Sequence, residues 1–175
     1  ALLRRGGPAG AGGHPARAAG VRVVSGVSTL PALSSAVIDR YVEHFRALEH
    51  IAIGISSGAR VPGLATLRGV FSYAGKPFKV LENGRWVDAH GWLDRRTFAF
   101  PKPVGPRLLG RCDVPDLALL PQRYPSARTV SFHAGFASDT GQRVIEWLAS
   151  QVRAGRLKSA VSFAKPLHLL ARWME

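Results

Sequence analysis

The dipeptide Asn83-Gly84 stands between two short segments in which apolar and polar residues alternate. Residues 78–81 precede this turn and residues 86–88 follow it. Asn-Gly between such segments is the strongest short-range signal of a two-residue β-hairpin, because both residues tolerate a positive φ. The sequence therefore predicts an antiparallel pair of strands near the middle of the chain, which argues against a fold built only from repeated βαβ units.

Further strand and helix patterns lie on both sides of the hairpin. Alternating or β-branched segments predict strands over residues 50–55, 95–100, 107–112 and 127–133, and apolar residues at helical spacing predict helices over residues 64–73 and 139–154. Residues 113–124 are expected to form a loop with a short helical turn, and residues 157–175 a helical stretch interrupted at Pro166. This order predicts an α+β fold with a mixed, largely antiparallel sheet of five or six strands packed with helices.

The segment before residue 50 has the pattern strand–turn–helix. Residues 21–24 include three β-branched valines, residues 25–29 form a polar turn, and Ser28 or Thr29 would cap the helix that follows. Such a turn presents helix amides to a ligand in α/β proteins, so its hydroxyls form a candidate anion-binding pocket, with simple helix capping as the alternative. One apolar stripe predicts a helix of about four turns, and its members are Leu33, Val37, Tyr41, Phe45 and Leu48.

Residues 1–20 are expected to be a flexible lead-in, because they are rich in glycine and show no apolar periodicity. They do not contain the glycine-rich loop of dinucleotide-binding domains. The pattern G-x-G-x-x-G beginning at Gly10 would need a glycine at position 15, where Pro15 stands.

The charge balance bears on the partners of the chain. It carries 24 Lys and Arg against 11 Asp and Glu, a net charge of +13. The basic residues are dispersed and acidic residues are scarce, so we expect weak, salt-sensitive contact with nucleic acid but no specific complex. No apolar run approaches the ~20 residues that a bilayer crossing needs. We expect a cytoplasmic protein with no membrane partner.

The residue types that commonly act in catalysis or bind metals form no recognisable catalytic or metal-binding motif in this sequence. The six histidines do not pair at metal-ligand spacing, so no metal site is expected. Cys112 is expected to be a small buried hydrophobic residue rather than a nucleophile. The chain has no G-x-S-x-G motif and no paired carboxylates. The catalytic residues are therefore unknown from the sequence, and the turn at residues 25–29 is the strongest candidate site.

Five stretches, in order along the chain, carry a family resemblance. They are VSGVSTLPALS at 24–34, IGISSGAR at 53–60, FSYAGKP at 71–77, DVPDL at 113–117, and RYP at 123–125 followed by FHAG at 132–135. Together they resemble the saccharopine dehydrogenase-like NAD(P)-dependent oxidoreductases over roughly residues 16–175. Ser57 and Ala59 stand where this family has Pro and Asn, and residues 136–138 replace a more acidic, leucine-rich stretch.

The resemblance implies a Rossmann domain with a glycine-rich NADP loop, followed by an α+β domain. Residues 21–49 would be a remnant strand–turn–helix that ends the Rossmann domain, and residues 50–175 the α+β substrate- and dimerisation-type domain. Ser25, Gly26, Ser28 and Thr29 would face the substrate and the nicotinamide. A full-length parent would bind NADP or NAD, whereas this chain, which lacks the Rossmann loop, is not expected to bind either tightly.

Two functions therefore stay open. The first is the C-terminal, substrate-side domain of such an oxidoreductase, inactive alone as a fragment. Its partners would be a small-molecule substrate and either the missing Rossmann half or a second copy of the chain. The alternative is a non-catalytic binding or oligomerisation domain.

Overall fold

A computed structural model describes residues 18–21, 29–58 and 61–173. In these ranges the chain forms six strands and five α-helices, which confirms the predicted α+β class. The strands are β1 (His50–Ser56), β2 (Pro77–Glu82), β3 (Arg85–His90), β4 (Arg96–Ala99), β5 (Pro106–Arg111) and β6 (Thr129–Gly135). The helices are α1 (Ser34–Tyr41), α2 (Leu64–Ser72), α3 (Asp116–Arg123), α4 (Asp139–Arg153) and α5 (Ala164–Trp173).

The strand β6 is the centre of the sheet. It pairs in parallel with β1 over all seven residues, so β1 occupies one of its edges. The other edge is shared by two antiparallel strands, β2 at Val130 and β5 at His133 and Ala134. β3 and β4 complete the sheet next to β2 and β5. The sheet is thus mixed and largely antiparallel, as the sequence predicts.

The predicted hairpin joins β2 to β3. Asn83 and Gly84 have φ values of 49° and 78°, the pair of positive angles that a type I′ turn requires. The Gly84 amide also donates a hydrogen bond of 2.7 Å to the Arg128 carbonyl oxygen, which ties the turn to the residue before β6.

Two of the helices predicted from apolar periodicity have nearly the predicted bounds, since α2 and α4 match residues 64–73 and 139–154 to within one residue. A glycine with a φ of +72° follows each of them, Gly75 after α2 and Gly155 after α4. The Ser138 side chain caps α4 by accepting a hydrogen bond from the Gly141 amide.

Two proline-based predictions differ from the structure. A loop with a short helical turn is expected over residues 113–124, but residues 116–123 form the two-turn helix α3, although Pro121 lies inside it. Leu117 and Leu120 of α3 are buried in the core, and this packing offsets the backbone hydrogen bond that the proline removes. Pro166 does not interrupt a helix either. It is the third residue of α5, where a missing N–H costs little because the first turn has no intrahelical acceptor for it.

The helix predicted after residues 25–29 is shorter than expected. The α-helical part is α1, followed by a 3₁₀ turn at Val42–His44. Thr29 begins a π-helical segment, Thr29–Leu33, which contains Leu30 in an extended conformation. Thr29 is therefore not the N-cap of α1, which has no side-chain cap. The predicted apolar stripe is largely exposed, at Leu33, Val37, Tyr41 and Phe45.

The hydrophobic core lies between the sheet and the helices. It combines sheet residues such as Val80, Val130 and Phe132 with α2, α3 and α4. In the described part of the chain the longest helix, α4, has 15 residues, and no helix joins sufficient length to sufficient apolar character for a bilayer crossing.

Candidate functional site

The carboxyl ends of β1 and β6 lie side by side, because these strands pair in parallel. β1 leads toward α2, and β6 leads through residues 136–138 into α4. The Ser57 amide donates to the Gly135 carbonyl oxygen at 2.9 Å, and the Ser57 hydroxyl accepts from the Ala137 amide at 3.2 Å. Adjacent parallel strands that lead into helices open a crevice at this edge of a sheet, which is where such sheets bind ligands.

A cleft of about 490 Å³ opens at this edge, within the range of roughly 300–1,000 Å³ that is typical of small-molecule sites. We call it the apolar cleft, because aliphatic and aromatic side chains form most of its walls. Phe136 follows β6, and the helices supply Leu67 and Phe71 from α2, Val144 and Ile145 from α4, and Leu167 and Leu170 from α5.

Hydroxyl groups supply much of the polarity of this cleft. Ser57, Ser138 and Thr140 line it. Two of these hydroxyls already accept hydrogen bonds from backbone amides. Ser57 accepts from Ala137, and Ser138 accepts from the Gly141 amide at 3.4 Å. These groups lie near the start of α4, so a ligand in the cleft would meet hydrogen-bonding groups there and apolar walls elsewhere.

None of the described residues that line the apolar cleft has a titratable side chain. General acid–base catalysis needs a proton donor or acceptor within hydrogen-bond reach of the reacting group. The walls of the cleft are largely apolar, and its described residues supply no group for proton transfer.

The residues predicted as the site are only partly within the described ranges. Ser25, Gly26 and Ser28 lie outside them. Thr29 is described at the start of its π-helical segment, which packs on α3, and it does not line the apolar cleft. The role of residues 25–29 in facing the substrate and the nicotinamide stays a prediction.

A second cavity, of about 360 Å³, lies over strands β2, β5 and β6. We call it the polar cleft, and it shares no lining residue with the apolar cleft. Charged side chains come from three places: Glu82 at the end of β2, Arg111 at the end of β5, and the segment before and at the start of β4. The full lining set is Glu82, Asp94, Arg95, Arg96, Arg111, Thr129, Ser131 and His133.

Ion pairs hold part of this lining in place. Arg111 Nη1 lies 2.5 Å from Glu82 Oε1, and the Arg111 side chain is only 17% exposed. Arg95 pairs with Glu146 of α4 at 2.8 Å. The Arg96 guanidinium lies over the Phe98 ring, 5.9 Å from its centroid.

His133 is the most unusual side chain of the polar cleft. It is 2% exposed, and its Nδ1 atom has no hydrogen-bond partner among the described residues. Burial lowers the pKa of His133 to about 4, and the positive charges of Arg111 and Arg96 act in the same direction. The imidazole is therefore neutral at pH 7 and carries one N–H donor.

The polar cleft is not predictable from the sequence. Its residues come from segments far apart in the chain, and Glu82 and Arg111 alone are separated by 29 positions. The only local signal is on β6, where the polar residues Thr129, Ser131 and His133 alternate with apolar neighbours. This alternation is equally typical of an ordinary half-buried strand.

Cys112 lies in the core, as predicted. It is 1% exposed, and burial raises the pKa of its thiol to about 12. The Tyr73 ring stacks on Trp92, and burial followed by the neighbouring Cys112 raises the pKa of Tyr73 above its ordinary value. Both groups are protonated at neutral pH, so neither is a nucleophile there.

Within the described ranges no cluster of three His, Cys, Asp or Glu side chains is arranged to hold a metal ion. Comparison with known proteins does not assign a family. No family model matches the sequence, and a search of curated proteins finds no match.

Proposed function

We propose that this chain is the substrate-side domain of an NAD(P)-dependent oxidoreductase of the saccharopine dehydrogenase-like kind, and that it binds an apolar small molecule. One observation carries the proposal: the apolar cleft lies at the carboxyl ends of the parallel strands β1 and β6. Its position fits the general rule for ligand crevices in sheets with parallel strands. Its volume suits a small molecule, and its walls select for apolar groups.

In this proposal the cofactor would be held by a Rossmann domain, as the family resemblance implies. NADP or NAD is recognised mainly through its pyrophosphate, which needs glycine-loop amides at a helix N-terminus. The connection from β6 to α4 is Phe136-Ala137-Ser138, without glycine, and it lines a largely apolar cleft. This connection lacks the glycines of a pyrophosphate-binding loop, and in our proposal the chain supplies the substrate side.

The protein partner would be the Rossmann half or a second copy of the chain. Four apolar side chains of the segment around α1 are between 48% and 58% exposed, namely Leu33, Val37, Tyr41 and Phe45. An exposed apolar stripe of this kind is typical of a surface that a partner covers. We propose a cytoplasmic location and no specific nucleic-acid partner, on the single cysteine and the dispersed basic residues.

The alternative is a non-catalytic binding or oligomerisation domain. The observation that favours it is the lack of titratable groups among the described residues of the apolar cleft. The two proposals differ in what precedes the chain in its gene. A strand followed by G-x-G-x-x-G, in frame and upstream of Ala1, supports the oxidoreductase, and an upstream sequence without that unit supports the alternative.

The binding step is tested by titration with N-phenylnaphthylamine, a neutral apolar fluorophore. Two neighbouring residues of α5 give matched variants: Leu170 lines the cleft and is 53% exposed, whereas Leu169 is 58% exposed and does not line it. Leu170→Asp places a charge beside the bound apolar probe, and we expect the dissociation constant to rise about tenfold or more. Leu169→Asp is expected to leave it unchanged. Equal effects of the two substitutions, or no saturable binding to the original chain, would refute the proposed ligand site.

A further inference from the structure

The polar cleft has an excess of positive charge over its own carboxylates. Arg95, Arg96 and Arg111 line the cavity with Glu82 and Asp94, and Arg95 also pairs with Glu146 of α4, outside the lining. The whole chain, with a net charge of +13, adds a favourable long-range potential for a negative ligand. The arginines of the lining and the positive charge of the whole chain together favour an anion over a cation.

Arg111 retains hydrogen-bonding capacity that the protein does not use. Its Nη1 atom donates to Glu82, but its Nε atom is buried and has no partner among the described residues. A buried donor without an acceptor is energetically unfavourable, and arginine presents its donors in a fixed planar fork. A planar carboxylate or a phosphate supplies acceptor oxygens that match this fork.

Neutral donors line the same cavity. On β6, Ser131 and His133 lie two positions apart and are both at least nine-tenths buried. The Nδ1 atom of His133 is also without a partner among the described residues. Thr129, at the start of β6, adds a second hydroxyl to the lining. Hydroxyl and imidazole groups beside an arginine are common ligands of oxyanions.

The segment before β4 is held rigidly against Arg111. The Trp92 amide donates to the Arg111 carbonyl oxygen at 2.7 Å, and the Arg111 amide donates to the Leu93 carbonyl oxygen at 3.0 Å. Trp92 and Asp94 have positive φ values of 64° and 53°, which non-glycine residues adopt only where the surroundings enforce them. This segment therefore fixes the positions from which Asp94, Arg95 and Arg96 enter the cleft.

From these observations we propose that the polar cleft is a binding site for a small oxyanion, a carboxylate or a phosphate group. Arg111 and Arg96 bind its charge, and Ser131 and His133 donate hydrogen bonds to its oxygens. The site lies on residues other than those of the apolar cleft, so it is independent of the ligand proposed there.

The test is titration calorimetry of the chain with inorganic phosphate and, separately, with malonate, against chloride at the same ionic strength. We expect saturable binding of at least one of the two anions. Arg96→Gln and Arg111→Gln are expected to raise its dissociation constant about tenfold or more, because each removes a charge-assisted hydrogen bond. Arg143→Gln is the matched control, since Arg143 is exposed on α4 and does not line the cleft.

Every outcome of the titration either supports the proposed anion site or contradicts it. Binding of phosphate alone, of malonate alone, or of both supports the site and identifies the group that it prefers. Arg96 is exposed, so its variant keeps the fold and stays informative even where Arg111→Gln, which leaves Glu82 without its partner, unfolds. The proposal is overturned when neither anion binds beyond the chloride control. It is also overturned when Arg143→Gln weakens binding as much as Arg96→Gln.

Discussion

His133 lies on the central strand with 2% of its surface exposed, next to two arginines of the polar cleft. Its ring contacts Phe98, with 5.2 Å between the ring centroids. A histidine in this setting is forced to stay neutral, because burial and positive neighbours both oppose protonation. Its environment, rather than its residue type, therefore sets its chemistry.

Protonation of His133 is expected to destabilise the fold. Burial, then Arg111 and Arg96, lower its pKa from 6.5 to about 4, while Asp94 acts in the opposite direction. Between these two values the unfolded chain binds the proton and the folded chain does not, so stability rises as pH increases from 4 to 6.5. The contribution lost at the acid end is at most about 3 kcal/mol.

Urea unfolding at several pH values measures this effect. The original chain should gain more stability over that interval than His133→Gln, whose side chain does not titrate. Parallel pH profiles for the two proteins would show that His133 is not the group responsible.

At the scale of elements, two glycines that follow helices have the same φ angle but differ in how closely other residues pack against them. Gly75 and Gly155 both have a φ of +72°. A Cβ atom at Gly75 would lie 2.2 Å from the Ala149 carbonyl oxygen of α4, whereas a Cβ atom at Gly155 would meet nothing within 4 Å. The turn after α2 therefore needs glycine twice over, for its angle and for its close approach to α4.

Gly155→Ala is expected to lower the free energy of unfolding by about 1 kcal/mol, the cost of the left-handed conformation alone. Gly75→Ala should cost at least about 2 kcal/mol more, because backbone must move to admit the methyl group. Chemical denaturation of both variants checks this difference. Equal losses would contradict the close packing of the turn against α4.

The elements that the sequence predicts well are those set by local rules. The hairpin follows from Asn83-Gly84, and α2 and α4 follow from apolar spacing and their glycine stops. The errors arise where tertiary packing decides. α3 forms despite Pro121 because Leu117 and Leu120 are buried by other elements. The apolar stripe around α1 correctly indicates helix but not burial, since periodicity does not say what a face packs against.

The two clefts are even harder to predict from local sequence patterns than the helices are. The walls of the apolar cleft come from three helices and the ends of two strands. In the polar cleft, Glu82 and Arg111 are brought together because β2 and β5 both pair with β6. No local sequence pattern predicts contacts between segments that are so far apart in the chain. The strand–turn–helix pattern and the family resemblance both indicate residues 25–29 as the candidate site, and of these only Thr29 is described.

Across the whole molecule, α1 is attached to the rest of the fold by Ile38, which packs against the core, and by several polar contacts. Arg123 pairs with Asp39, and the Tyr124 hydroxyl donates to the same carboxylate, which lowers the pKa of Asp39. The Ser34 hydroxyl donates to the buried Asp116. These contacts fix one side of α1 and leave the stripe of Leu33, Val37, Tyr41 and Phe45 to solvent.

We expect the chain to self-associate through this stripe when no other partner covers it. Analytical ultracentrifugation should give a mass that exceeds 18.8 kDa and rises with concentration. Val37→Glu should shift the distribution toward the monomer, and Arg40→Glu, which changes charge on the same helix without removing an apolar side chain, should have a smaller effect. A monomer at every concentration would contradict this use of α1.

The most direct test of the proposed ligand site is an amide nitrogen–proton correlation spectrum recorded while N-phenylnaphthylamine is added. The apolar cleft predicts saturable shifts at Gly58, Phe136, Gly141 and Leu170, all of which line it, and little change at Thr129 and Ser131 of the polar cleft. Shifts confined to Val37 and Tyr41 of the exposed stripe would place the probe on α1 instead. That result would contradict the assignment of the apolar cleft as the site where this chain binds its ligand.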